Sequence, residues 1–422
     1  MRFPRSRRAL LVAGVLTAAL VPALTSSPAV HAAPAEKQSY IVVLKDSVDR
    51  ASAVAEENRR SGDEVQHVYE SALKGYSVRM TAARAAQVTN DPRVESVQLD
   101  TPVESFAQTV PTGIDRMDAD LSSTRAGDGA GGVGVPVAVI DTGVQTNHPD
   151  LRVLGGKNCT VGLGAGDDHG HGTHVAGTVG AKDDAAGVVG VAPNTPLYAV
   201  KVLTAVGTGL NSWVICGIDW VTANAQRLGI KVANMSLGGA GTDDGNCGNS
   251  NDDALHKAIC GSVARGVTYV VAAGNDGVDF ESTTPAAYDE VLTVTAVSDH
   301  NGRPGGGASS SCSSDADDSA ASFSNWTTAS SPDAAHTIAA PGTCIYSTTN
   351  LGGYTTMSGT SMASPHVAGL VALCISSGGC ANLTPAQIIS KLRADAASQP
   401  ASYGYTAPGG RHYGALVSAA GY

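Results

Sequence analysis

Three short segments place an aspartate, a histidine and a serine among small residues. Asp141 ends the apolar stretch of "VAVIDTGV", three histidines stand in "DDHGHGTHVAGT", and Ser361 lies in "GTSMASPHVAG" just before an apolar run. Taken singly, the aspartate is typical of a turn, the histidines of a polar loop or a metal site, and the serine of a helix cap. Taken together, the three residue types indicate nucleophilic hydrolysis.

The chemistry explains why these residue types are needed together. A serine hydroxyl is a poor nucleophile until an imidazole within hydrogen-bond distance takes its proton, and a buried carboxylate holds that ring in one tautomer. The reaction also needs a fixed N–H donor for the oxyanion of its intermediate. Asn275, after the apolar stretch of "VVAAGN", is a candidate donor, although alone it would indicate only a turn with Asp276 and Gly277.

The three segments resemble the active-site blocks of the subtilisin family of serine endopeptidases, which has the chain order Asp, His, Ser. The resemblance implies that Asp141, His171 and Ser361 form a catalytic triad. It also implies that the Asn275 side chain and the Ser361 backbone N–H stabilise the oxyanion. By the same match, His174 is a structural residue.

Substrate binding follows from the same resemblance. In that family, extended segments pair with the peptide as an added strand, and small side chains around the main pocket leave room for a large apolar group before the cut. None of the matching positions is acidic, so a preference for Lys or Arg is not predicted. These positions are Gly207, Thr208, Gly209, Ser236, Leu237, Gly238, Ala272 and Gly274.

The surrounding sequence predicts the elements that position these residues. Apolar stretches over 135–141, 196–203, 232–237, 266–275 and 291–297 alternate with helix-like segments. This pattern favours an α/β fold, a parallel sheet covered by helices on both faces, with active residues at the strand ends. The stretch 299–322 is low in apolar residues and predicts a long surface loop. The last ten residues, 413–422, resemble the family's terminal helix.

The first 106 residues are expected to be removed from the mature protein. Arginines before an apolar run and the small residues of "AVHA" predict a signal peptide over 1–32; a membrane anchor and a twin-arginine address are the alternatives. Residues 33–106 carry the patterns of three strands and one helix, which predict a small α+β domain, and they resemble the family's propeptide, an intramolecular chaperone and inhibitor. The resemblance implies self-cleavage between Phe106 and Ala107, leaving a peptidase domain over 107–422. A permanent accessory domain is the alternative.

A structural calcium site is also implied by the resemblance. The segments "NHPDL" and "AKDDAAGVVGVAP" match the family's high-affinity site, and six oxygen ligands suit calcium. Side-chain oxygens are expected from Gln108, Asp150 and Asp184, and backbone carbonyls from Lys182, Ala186 and Val188. An ordinary acidic turn is the alternative, and no catalytic cofactor is expected.

Composition limits the remaining possibilities. The 422 residues are 42% hydrophobic and 15% charged, which predicts a globular core, and the formal net charge of −11 without a basic cluster argues against nucleic-acid binding. Eight cysteines in a chain bound for export predict disulfides. Only the Cys374–Cys380 pair is proposed; the others remain open.

We expect a secreted monomer that acts on proteins and peptides, has no membrane contact after signal removal, and has its own propeptide as a partner.

Two other functions compete with this interpretation. An inactive peptide-binding protein would keep the propeptide clamped on a fold that no longer cuts. An acyl hydrolase acting on esters would fit the G-x-S-x-G elbow of the α/β-hydrolases, but Ala363 occupies the second glycine position of that motif. Intact Asp141, His171, Asn275 and Ser361 favour the peptidase over both.

Overall fold

The structure, a computed structural model, describes residues 36–101 and 108–422. The chain divides into two compact units, the first ending at Glu104 and the second beginning at Ser105. The predicted signal peptide and the predicted cleavage between residues 106 and 107 lie outside the described residues. Within the described ranges, the helices lack the combination of length and hydropathy that a bilayer crossing requires.

The first unit is an antiparallel sheet packed against two helices. Its strands lie in the order β2-β3-β1-β4, and their apolar residues form one core with both helices. The predicted strands and first helix are present, and β2 and α2 are additional. The elements are β1 Lys37–Leu44, α1 Ala51–Arg60, β2 Glu64–Tyr69, β3 Gly75–Thr81, α2 Ala82–Thr89 and β4 Val94–Leu99.

The second unit alternates strands and helices. The five predicted strands are all present, with bounds within a few residues of those expected. The elements are α3 Thr112–Arg116, β5 Val137–Asp141, β6 Val153–Asn158, α4 His171–Gly180, β7 Leu197–Lys201, α5 Asn211–Leu228, β8 Val232–Met235, β9 Gly239–Ala240, α6 Ala254–Val263, β10 Thr268–Ala272, β11 Thr283–Thr284, β12 Leu292–Ser298, β13 Ser319–Ala320, β14 Thr337–Pro341, β15 Ile345–Thr349, β16 Gly353–Met357, α7 Thr360–Ser376 and α8 Pro385–Ala397.

The main sheet of the second unit has eight strands. The order is β13-β12-β10-β8-β5-β7-β6, with β14 paired to β12, and every pair except β12–β13 is parallel. Alternate residues of β5 point to opposite faces: Val139 belongs to the core that includes residues of α4, α7 and α8, whereas Ile140 belongs to the core that includes residues of α5 and α6. The α/β fold with both faces covered is therefore confirmed.

The prediction of a helix over 413–422 is wrong. Gly414 has a left-handed φ of +79°, and Leu416 forms a parallel bridge with Ala339 of β14. The Val417 N–H donates to the Ala339 carbonyl, and the Ala339 N–H donates to the Ala415 carbonyl. The segment is extended because the edge of β14 offers its backbone groups hydrogen-bond partners.

All eight cysteines form disulfides. The predicted Cys374–Cys380 pair is confirmed. The pairs that the sequence left open are Cys159–Cys216, Cys247–Cys260 and Cys312–Cys344. These bonds tie surface loops to the helices and strands beside them.

The stretch 299–322 is a loop, as expected, but it is anchored rather than free. Apart from the two-residue strand β13 it has no regular element. The fully buried Arg116 guanidinium donates to Asp318 at 2.8 Å and lies 3.3 Å from Asp299. These contacts with the last residue of α3 anchor both ends of the loop.

Candidate active site

The end of β5 and the start of α4 bring together an aspartate and a histidine. His171 Nδ1 donates to Asp141 Oδ1 at 2.7 Å, and the Thr142 N–H donates to the same oxygen at 2.6 Å. Asp141 is completely buried, whereas the His171 side chain is 20% exposed. The carboxylate thus holds the proton on Nδ1 and leaves Nε2 free to accept another from the cleft.

The charge of Asp141 also sets the basicity of the histidine. Burial alone would lower the pKa of His171, but the charge and hydrogen bond of Asp141, with a further contribution from Asp167, raise the pKa overall. A raised pKa makes the imidazole a stronger base toward a hydroxyl on its Nε2 side.

Asp167, which the sequence analysis did not select, positions the first turn of α4. Its carboxylate accepts the backbone N–H groups of His169, Gly170 and Thr173 and the Thr142 hydroxyl. Burial alone would raise the pKa of Asp167, but these hydrogen bonds lower it overall. The anion satisfies N–H groups at the helix start and faces the positive end of the helix dipole. The sequence signal was an aspartate four residues before His171.

Ser361 is the second residue of α7, and it faces His171 across a cavity. Both side chains line a cavity of about 600 Å³. The Ser361 hydroxyl donates to the Ser236 carbonyl at 3.4 Å, and the described residues contain no hydrogen bond between this hydroxyl and His171. Rotation about the Ser361 Cα–Cβ bond would redirect the hydroxyl toward His171. Catalytic hydrogen bonds are often long or misaligned in the free enzyme and tighten when substrate binds.

A buried polar network fixes the backbone that carries Ser361. Ser236 Oγ donates to the Ser361 carbonyl at 2.8 Å, Asn234 Nδ2 donates to Ser236 Oγ at 2.9 Å, and Ser364 Oγ donates to Asn234 Oδ1 at 2.7 Å. Asn234 and Ser364 are fully buried. The network joins β8 to the first turn of α7, and a buried asparagine inside a strand was the sequence signal that could have revealed it.

The loop after β10 places Asn275 beside Ser361. Gly274 has a left-handed φ of +107°, and a Cβ there would lie 2.3 Å from Asn325 Nδ2, so this position requires glycine. The Asn325 amide accepts the N–H groups of Asp276 and Val278 and donates to the Ala273 carbonyl. The loop therefore wraps around one buried amide.

Thr360 sets the orientation of the Asn275 amide. Asn275 Oδ1 accepts from the Thr360 N–H at 2.8 Å and from the Thr360 hydroxyl at 3.0 Å. Because both bonds engage the oxygen, Nδ2 is turned away from Thr360, and it comes within 3.6 Å of a Cβ built on Gly359. An amide N–H donor is thereby held at the start of α7, where the Ser361 N–H also lies.

The predicted substrate segments line two cavities that share Ser361. The segments 207–209 and 236–238 border the cavity with His171, and Ala272, Gly274 and residues 237–238 border a second cavity of about 500 Å³ with Asn275. Asp276 also lines the second cavity, and the sequence analysis did not include it among the pocket positions.

Four of the predicted calcium ligands, Lys182, Asp184, Ala186 and Val188, lie on the loop after α4, and Gln108 and Asp150 contact this loop from other parts of the chain. The side-chain Nε2 of Gln108 lies 2.7 Å from the Lys182 carbonyl, 3.2 Å from that of Val188 and 3.4 Å from that of Ala186. Three carbonyls therefore converge on one point. Gln108 points its nitrogen there rather than the expected oxygen, because converging carbonyls need a positive partner.

The carboxylates of this region differ in burial. Asp150 is buried, its Oδ2 accepts the Val188 N–H, and its Oδ1 has no partner. Gln108 Oε1 is likewise buried without a partner. Asp184 is exposed on the same loop. Two orphaned side-chain oxygens beside three converging carbonyls are a donor set that suits calcium.

Comparisons with known proteins agree with this geometry. Residues 132–409 match the model of the subtilase family, and residues 39–105 match that of the peptidase inhibitor I9. Subtilisin DY of Bacillus licheniformis is 40% identical over 303 residues, covering 71% of this chain and 96% of that protein. An alkaline protease of Alkalihalobacillus alcalophilus is 35% identical over 369 residues, covering 85% and 86%.

A solved structure supports the same assignment. The crystal structure of a cold adapted subtilisin-like serine proteinase is 34% identical to this chain, covers 73% of it and 97% of its own length, and superposes with a TM-score of 0.54. The chain belongs to the subtilase family of serine endopeptidases and carries an inhibitor-type propeptide domain before its peptidase domain.

Proposed function

We propose that this subtilase is a secreted endopeptidase that cleaves peptide bonds through an acyl-enzyme, with Asp141, His171 and Ser361 as its triad. The observation that carries the proposal is the 2.7 Å bond between His171 Nδ1 and Asp141 in a cavity that Ser361 also lines. The boundaries 1–32, 33–106 and 107–422 for signal, propeptide and peptidase are part of the proposal, as is self-cleavage between Phe106 and Ala107.

The acylation step follows from the site. Ser361 Oγ attacks the carbonyl carbon of the scissile bond while its proton passes to His171 Nε2, and the buried Asp141 stabilises the imidazolium. The carbonyl oxygen becomes an oxyanion that accepts from Asn275 Nδ2 and the Ser361 N–H. On collapse, the C–N bond breaks and His171 gives its proton to the leaving amine. Deacylation repeats the sequence with water as the nucleophile.

The same cleft supports a preference for large apolar side chains before the cut. Its second cavity, about 500 Å³, has walls of small residues such as Ala272 and Gly274, and enclosure of an apolar side chain there removes apolar surface from water. Asp276 is exposed at this cavity. A long basic side chain would lie near this one carboxylate, but solvent screens the attraction, so it adds little to binding.

Phosphonylation tests this proposal directly, because an aryl phosphonate reacts only with an activated serine. We expect labelling of Ser361, located by mass spectrometry, at a rate that falls about tenfold per pH unit on the acid side as His171 becomes protonated. Since Asp141 raises the pKa of His171, this fall should begin above the ordinary histidine pKa of about 6.5. A phosphonate with a phenylalanine side chain should react faster than one with a lysine side chain.

A second variant for this experiment is Asp141→Asn, which retains the size of the side chain but removes its charge. Its labelling rate should fall by several orders of magnitude. Labelling of a different serine, or a rate that does not change between pH 5 and 8, would refute the proposed roles of Ser361 and His171.

We further propose that calcium binds to the loop after α4 as a structural ion. A half-turn of the Gln108 amide would bring its unpartnered Oε1 to the point where the carbonyls of Lys182, Ala186 and Val188 converge. Asp150 would add a buried carboxylate oxygen, and Asp184 would add charge from the surface. The ion would join the start of the second unit to this loop.

Calcium removal should therefore shorten the lifetime of the enzyme at raised temperature. A ligand present at about 100 times its Kd stabilises the folded state by about 2.7 kcal/mol, so excess chelator should speed thermal inactivation at least tenfold, and calcium alone should reverse this. The variant Asp150→Asn should inactivate fast with or without chelator, whereas Asp128→Asn, an exposed carboxylate outside the loop, should behave like wild type. Equal inactivation rates of wild type with and without chelator would contradict this site.

A further inference from the structure

A second group of acidic and histidine side chains lies at the start of α6, on the face of the main sheet that α5 and α6 cover. His256 is completely buried and stacks face to face on Tyr288, with ring centroids 4.0 Å apart. Its Nδ1 has no hydrogen-bond partner, although Oδ1 of Asp243 lies 3.3 Å away and Oδ1 of Asp244 lies 3.5 Å away. A buried ring nitrogen thus points at two carboxylates.

The other ring nitrogen determines which tautomer is present. His256 Nε2 donates to Glu290 Oε2 at 2.7 Å, and a carboxylate on one ring nitrogen leaves the lone pair on the other nitrogen available to a metal. A metal bound to Nδ1 would then lie in series with the imidazole and the Glu290 carboxylate. A lone pair facing two anionic oxygens with nothing between them is repulsive.

The distances suit metal ligands better than an ion pair. A charge-assisted N–H···O bond has a length of about 2.7–2.9 Å, which is shorter than either Nδ1 contact. In a tetrahedral site with metal bonds of about 2.0–2.2 Å, neighbouring ligand atoms lie about 3.3–3.6 Å apart. The observed 3.3 Å and 3.5 Å fall in that range.

The charge around the site also favours a cation. Among the described residues, no lysine or arginine forms a salt bridge with Asp243, Asp244 or Glu290; their only such partner is His256. The Asp244 side chain is 6% exposed and accepts four backbone N–H groups of its own loop, which hold it in place. One imidazolium would leave two of the three carboxylates without a cationic partner, with only neutral donors such as the backbone N–H groups on Asp244.

We propose that Asp243, Asp244 and His256 form a binding site for one divalent transition-metal ion of the zinc class. One nitrogen and two carboxylate oxygens favour such an ion over calcium or magnesium, which prefer oxygen alone. Cys247 and Cys260 lie nearby but are bonded to each other and supply no thiolate. The ion joins the loop after β9 to α6, and β9 directly follows the proposed substrate segment 236–238.

Cobalt is the probe that tests this site, because four-coordinate Co²⁺ absorbs visible light. The chelator-treated protein, refilled with calcium and inhibited at Ser361, is titrated with Co²⁺. We expect one equivalent to bind with the intense visible bands of four-coordinate Co²⁺, and Zn²⁺ to displace it. Asp243→Asn should weaken this binding at least tenfold, and His256→Gln should abolish the bands.

The matched control is Asp252→Asn, which removes a fully exposed carboxylate from the same loop and should bind Co²⁺ like wild type. Circular dichroism of Asp243→Asn is recorded beside that of wild type; equal spectra are expected, so that weaker binding reports loss of the ligand and not of the fold. Absence of Co²⁺ and Zn²⁺ binding to wild type would leave only a buried ion pair and overturn the proposal. Equal binding by wild type and Asp243→Asn would overturn it as well.

Discussion

Replacement of Ser361 by alanine is expected to abolish peptide hydrolysis and to leave the precursor uncut. The substitution removes the one atom that attacks the substrate, while His171, Asp141 and Asn275 stay in place. The expected fall in kcat is about 10⁶-fold, a magnitude known from the corresponding change in subtilisin itself. Hydrolysis of a chromogenic peptide measures the loss, and N-terminal sequencing of the secreted product shows whether Ala107 has become the first residue.

The fold should tolerate this change. The Ser361 hydroxyl makes only a 3.4 Å contact with the Ser236 carbonyl, whereas the backbone of this turn is held by Ser236 Oγ. Ser377→Ala, at the other end of α7, removes a hydroxyl that bonds only the Cys374 carbonyl and should process normally. If wild type and Ser361→Ala both stay full length and neither hydrolyses peptide, the inactive peptide-binding alternative is correct.

Replacement of Asn275 by alanine should lower kcat by about 10²–10³-fold with little change in KM. This magnitude is known for the corresponding donor in subtilisin, and KM is spared because the donor acts mainly on the oxyanion of the transition state. Steady-state kinetics on one peptide substrate separates the two constants. Asn275→Asp should be more severe, since it can keep both Thr360 bonds but presents a negative oxygen to the oxyanion.

Asn382→Ala removes an exposed asparagine that lines neither cavity of the cleft and is the control for this prediction. Its kcat and KM should match those of wild type. A loss in Asn275→Ala that appears in KM alone would mean that Asn275 binds substrate and does not stabilise the oxyanion.

The strands of the main sheet could be predicted because they are buried on both faces. Apart from Asp141, Asn234 and Thr268, the residues of β5, β8 and β10 are apolar or aromatic whichever face they point to, so an apolar run marks each of these strands. β6 and β14 were missed for different reasons. β6 lies at the sheet edge with exposed glycines, while β14 is buried but follows a 3₁₀ turn and has only three apolar residues between Thr337 and Pro341.

The extended C-terminus could not be predicted from its own residues. The segment 413–422 has the small and apolar composition that a helix also uses, and local propensity is a weak determinant when tertiary contacts compete. Its conformation depends on the free edge of β14, which comes from a distant part of the chain. The three open disulfides had the same limit, because sequence spacing does not show which loops meet.

The sequence by itself determined the kinds of group at the active site, since Asp141, His171, Ser361 and Asn275 stand in motifs whose residue types have one shared chemistry. It also indicated the parallel sheet that brings these motifs together. Only the tertiary structure decided which atoms meet. The Asn234 network under Ser361, the Thr360 clamp on Asn275 and the contact of Glu290 with His256 join residues far apart in the chain, and such contacts depend on how the chain packs.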